Sequence, residues 1–136
     1  LQQDQQMVVL PKGHPLAYAE NFPVKSLQED PFIMLEKGTK AEITDIFLKN
    51  HLQPKPKYTT FDDYAALSMV EKGLGIAILP KLILQRINYD VVVKPLDVEA
   101  YRTIGVAMKS EKELSLAAKR FLEYLDCREA EKGGKR

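Results

Sequence analysis

The chain has 136 residues, enough for one domain that buries about two thirds of the surface its unfolded form exposes, so neither a disulfide nor a metal staple is needed. Lys and Arg number 20 against 19 Asp and Glu, a net charge of +1 that supplies no general drive toward nucleic-acid phosphates or anionic lipid and disfavours a stand-alone DNA-binding module. Hydrophobic residues at 45% and charged residues at 29% exclude a disordered chain.

The polar opening Leu1-Gln2-Gln3-Asp4-Gln5-Gln6 is no signal peptide, and no apolar run approaches the roughly 18 to 20 residues that cross a bilayer. A start at Leu1 and not Met leads us to expect a piece of a longer protein. Met7-Val8-Val9-Leu10 reads as a short buried strand stopped by Pro11-Lys12-Gly13, and His14 through Pro23 as loop. One further turn at Val24 and Leu27 leads to Asp30-Pro31. Pro31 through Leu35 is a strand apolar enough to be covered on both faces.

Thr39-Lys40-Ala41-Glu42 matches a capping box, in which the Thr hydroxyl accepts from the third helical N–H and the Glu reaches back. The helix is expected from about Lys40 to His51, with Ile43, Ile46 and Phe47 on one face. Pro54 and Pro56 end it, and Lys57 through Phe61 has the β-branched and aromatic content of a second strand. Asp62 or Thr60 can cap a helix from Tyr64 to Lys72, with Gly73 as its stop. Gly75 through Pro80 is a third strand. Three strands separated by two helices imply crossovers and an α/β fold, an open, mostly parallel sheet with helices on both faces.

The last third suggests a short helix from Lys81 to about Arg86, a strand from Asp90 to Lys94 and a strand from Arg102 to Lys109. Leu114, Ala118, Phe121, Leu122 and Leu125 then line one stripe of a final helix with Ser115 near its cap. After Cys127 the chain reads as a solvated tail.

Little in this order supports chemistry. His14 and His51 have no H-x-x-E or H-x-x-x-H partner, so no metal site is expected. Cys127 follows Asp126, whose charge disfavours a thiolate, and a lone cysteine suits a reducing compartment. Ser68 has no G-x-S-x-G elbow, and Gly73-Leu74-Gly75 precedes a strand where phosphate loops follow one. What remains is binding geometry. In an open parallel sheet, ligands collect at the carboxyl ends of the strands, and two short polar junctions lie there: Glu36-Lys37-Gly38-Thr39-Lys40 and Thr59-Thr60-Phe61-Asp62.

Three phrases in fixed order carry more. They are Leu10-Pro11-Lys12-Gly13-His14-Pro15-Leu16-Ala17, Leu27-x-x-Asp30-Pro31-Phe32-Ile33, and Met69-Val70-x-x-Gly73-Leu74-Gly75-Ile76-Ala77-Ile78-Leu79-Pro80. Together, with Arg102-x-x-Ile104-x-Val106-Ala107 and the amphipathic helix after it, they resemble the effector domain of LysR-type transcriptional regulators. The resemblance implies one lobe of a type 2 periplasmic-binding-protein-like fold. Residues 1–109 would form the second lobe with its crossing strands, 110–127 a helix that packs on an absent first lobe, and 128–136 a disordered tail. It also implies a cytoplasmic, non-enzymatic sensor without a cofactor, for a small and anionic metabolite. DNA would be contacted only through an absent helix-turn-helix, and the protein would be a homo-oligomer with no membrane partner.

The effector site implied by the resemblance falls on Gly38, Thr39 and Lys40 and on Thr59, Thr60 and Phe61, the same two junctions. Lys37 and Lys40 favour a carboxylate or phosphate. Two other functions on the same fold compete: a lobe of a transport solute-binding protein, and a small-metabolite enzyme.

Overall fold

The computed structural model describes residues 2–36 and 40–133. The chain divides into two units, one of residues 4–102 and one of residues 1–3 with 103–136. The first unit holds β1 (Gln2–Pro11, from Asp4 on), a 3-10 turn (Val24–Gln28), β2 (Phe32–Leu35) and α1 (Lys40–Lys49). It continues with β3 (Pro56–Thr60), α2 (Asp63–Glu71), β4 (Ile76–Pro80), α3 (Lys81–Leu84) and β5 (Val91–Pro95), and β6 (Tyr101–Ile104) begins at its end.

The sheet order is β3-β2-β4-β1-β5, with β6 also paired to β1. Its β3-β2-β4 part is parallel, while β1 lies antiparallel to both β4 and β5, so the sheet is mixed and the expected parallel character belongs to the crossover-linked strands. The reason is topological: β1 meets β4 across nearly seventy residues of chain, from Gln6 opposite Pro80 to Val9 opposite Ala77, and no crossover helix dictates its direction. 

Strand alternation builds two cores. Val8, Leu10, Phe32, Met34, Ile76 and Ile78 face α1, while Val9, Ile33, Leu35, Ala77 and Leu79 face α2. Burial on both faces is why these strands read as continuous apolar runs. Ile43, Ile46 and Phe47 meet the sheet as their spacing predicts, and Phe47 packs edge-on against Phe32 with ring centroids 5.1 Å apart.

The quoted sequence phrases are joined physically. His14 Nδ1 accepts from the Leu16 N–H at 3.0 Å, which leaves the proton on Nε2 to be donated to Asp30 Oδ2 at 2.8 Å. The ring thereby ties the first phrase to the second. Gly73 has φ +78, the left-handed stop after α2. At Gly75 a Cβ would lie 2.3 Å from the Pro31 carbonyl oxygen, which itself accepts from the Ile76 N–H at 2.9 Å. The third phrase is thus seated on the second.

In the second unit β6 ends at Ile104, short of the expected Lys109, because Gly105 and the exposed residues after it find no partner strand among the described residues. The final helix, α4 (Leu116–Gly133), is capped by Ser115, whose Oγ accepts from the Ala118 N–H at 3.1 Å. Its backbone is helical through Gly133, past the point where a tail is expected. The stripe is narrower than its spacing suggests: Leu114, Ala118, Leu122 and Leu125 are half-buried, but Phe121 is 60% exposed. The Cys127 side chain lies outside the described residues.

Candidate functional site at the carboxyl ends of the parallel strands

Parallel pairing sets Leu35 opposite Thr60, so β2 and β3 end side by side. The Glu36 N–H then donates to the Thr60 carbonyl at 2.9 Å, one more rung beyond the end of β2. The two polar junctions therefore start from adjacent points on one sheet edge. This is the arrangement expected from strand ends alone, and the register supplies its cause.

Of the six candidate residues, Gly38 and Thr39 lie outside the described residues, as does Lys37. Lys40 opens α1 and is solvent-exposed, its Nζ 2.7 Å from Glu36 Oε2. Thr59 is exposed and Thr60 half-buried, its Oγ1 accepting from the Asp62 N–H at 3.3 Å. Phe61 is 73% exposed, an apolar ring at the rim. Asp62, not Thr60, caps α2: its Oδ1 accepts from the Tyr64 N–H at 3.3 Å. The cap places a carboxylate on the α2 N-terminus, so the cationic side of the site is carried by Lys40 and the start of α1.

The capping box expected at Thr39 and Glu42 falls on Thr39, which lies outside the described residues, while Glu42 contacts β1. Its Oε2 accepts from Gln6 Nε2 at 3.1 Å, because β1 runs beneath the first turn of α1 and presents a buried amide there. Asp4 and Gln6, in the polar opening of the chain, are both buried. Asp4 Oδ2 accepts from Arg102 Nε at 2.9 Å and lies 2.8 Å from a second guanidinium nitrogen, while its Oδ1 accepts from the Leu82 N–H at 3.0 Å. The carboxylate so caps α3, whose own N-cap is Pro80 and offers no side-chain acceptor. The signal was present: Asp4 and Gln6 continue the alternation of Val8 and Leu10 and belong to the inward face.

Among the described residues no group of three or more His, Cys, Asp or Glu could hold a metal ion, and no helix is long and apolar enough to cross a membrane. The arrangement offers an ammonium, a half-buried hydroxyl and an exposed aromatic ring at adjoining strand ends. That is equipment for holding a small polar molecule.

Comparison with known proteins identifies the family. Residues 1–129 match the family model of the LysR substrate binding domain. The HTH-type transcriptional regulator YvbU of Bacillus subtilis is 34% identical over 125 residues, 90% of this chain and 43% of YvbU. The HTH-type transcriptional activator CmpR of Synechocystis is 31% identical over 126 residues, 88% of this chain and 41% of CmpR. Among solved structures, the Synechocystis CcmR regulatory domain, in complex with 2-PG, superposes with a TM-score of 0.74 at 25% identity over 90% of this chain and 62% of that one. The chain thus spans less than half the length of the curated regulators it matches.

Proposed function

The chain belongs to the LysR substrate-binding-domain family, and from that premise we propose that it senses a small organic anion at the edge shared by Glu36–Lys40 and Thr59–Asp62 and passes the signal to a DNA-binding region elsewhere in its parent protein. The observation that carries the site is the Leu35–Thr60 register with its Glu36-to-Thr60 hydrogen bond, which brings two junctions distant in sequence to one edge. The anionic class is supported by Lys40 and by the complex of the CcmR regulatory domain with 2-PG. The sensing role is non-enzymatic and needs no cofactor, in keeping with relatives that are transcription regulators. The parent protein acts in the cytoplasm as a homo-oligomer.

Signalling would follow from differential contacts. A ligand that binds one arrangement of the parent more tightly than another shifts the population toward it by that difference in affinity. The test is a Thr60→Ala substitution in the full-length parent, read by effector titration and by DNA binding without effector. The half-saturating effector concentration should rise about tenfold, as for a lost hydrogen bond to a charged group, with basal DNA affinity unchanged. Equal loss of both would reject the site.

A further inference from the structure

Lys40 is the one cation among the four described candidate residues, and it is already engaged: its Nζ sits 2.7 Å from Glu36 Oε2. We infer that Glu36 tunes the ligand preference by charge, as a resident counter-anion of Lys40 that reduces the advantage a doubly charged phosphate would otherwise hold over a singly charged carboxylate. The inference rests on the site proposed above and concerns which anions that site prefers.

The ammonium has three donors, and Glu36 uses one. Lys40 is 51% exposed, so the remaining donors can turn toward a ligand without Glu36 leaving. Glu36 is poorly placed to leave. Its backbone N–H is held by the Thr60 carbonyl, and its side chain is only 26% exposed. A ligand bound to the same ammonium while that pair is kept therefore lies within a few ångströms of the Glu36 carboxylate. Asp62, anchored on the α2 N-terminus by Tyr64, adds a second fixed negative charge at the same end of the sheet.

Coulomb repulsion grows in proportion to the ligand's charge, so whatever factor Glu36 imposes on a monoanion is squared for a dianion at the same position. For a pair with this exposure the factor is about threefold per unit of ligand charge. The prediction is a ratio. Removing the Glu36 charge should tighten a monocarboxylate about threefold and a dianion about ninefold. A merely structural role for the ion pair would change both by one factor.

The experiment uses the chain itself, isotopically labelled, with acetate and with inorganic phosphate titrated separately at constant ionic strength and about pH 8, where phosphate is mainly a dianion. The shifts of the Thr60 and Phe61 amide signals report occupancy. The wild-type chain, Glu36→Gln and Lys40→Ala are compared, and the dispersion of each spectrum verifies the fold. Support is a gain in Glu36→Gln that is about three times larger for phosphate than for acetate. Binding of both anions that depends on Lys40 but responds equally, or not at all, to Glu36→Gln overturns the charge selection and leaves the site standing. Absence of any shift at Thr60 and Phe61 with either anion in all three proteins overturns the site and the selection together.

Discussion

A methyl group at position 75 would lie 2.3 Å from the Pro31 carbonyl oxygen, and the clash is with backbone, which cannot rotate away. Gly75→Ala must push β4 off the end of the Asp30-Pro31 segment or break the Ile76-to-Pro31 hydrogen bond, at a cost of about 1–3 kcal/mol. Gly73→Ala meets open space but must keep φ near +78, a cost of about 1 kcal/mol. Urea unfolding should therefore rank the two with Gly75→Ala the more damaging, and the reverse order would mean that β4 can shift to accommodate the methyl. The Gly-Leu-Gly phrase shows how legible single residues were. Gly73 could be read as a helix stop, because that role is local. The reason for Gly75 could not, since Pro31 is 44 positions earlier in the chain. His14 is similar: its partner Asp30 lies beyond a loop, and only the folded chain shows the ring as a tie between two segments.

Elements were legible where their limits are set by their own residues. Asp62 and Gly73 bound α2, Ser115 caps α4, and the apolar runs of β2 and β4 announce strands covered on both faces. What escaped is what other elements supply. The start of α3 has Pro80 as N-cap and takes its acceptor from Asp4, 78 positions away, while Glu42 at the start of α1 is engaged by Gln6, 36 positions earlier. Strand order likewise depends on long-range pairing, so the antiparallel insertion of β1 between β4 and β5 had no local sign. For the candidate site, the two junctions could be found from strand ends, but their adjacency needed the Leu35–Thr60 register. The Asp4 clamp has a measurable consequence. Its side chain is 1% exposed and holds both Arg102 and the Leu82 N–H. Asp4→Ala strips the cap from α3 and leaves a guanidinium that is only 21% exposed without its carboxylate, for a loss of about 3 kcal/mol in chemical denaturation. Asp4→Asn keeps an acceptor for Leu82 and should lose less. If the two variants lose equally, the helix cap contributes nothing and the ion pair alone accounts for the effect.

At the scale of the molecule, the core and the candidate site both belong to the unit of residues 4–102. The last buried hydrophobic residue among those described is Ala100, and every later one, including the α4 stripe, is half-buried or exposed. Leu116, Phe121 and Tyr124 on α4 are each at least 60% exposed, which is costly surface for a helix to carry alone. It follows that stability should reside upstream of α4. A chain ending at residue 110 retains all the described strands, both apolar clusters and the Asp4–Arg102 clamp. None of the described α4 side chains is fully buried, so the loss should be about 1 kcal/mol or less and the shortened chain should unfold within about 6 °C of the full one by calorimetry. A much larger drop would show that α4 stabilises the sheet through contacts its exposure does not suggest. An unchanged midpoint would show that the sheet and both apolar clusters hold without α4.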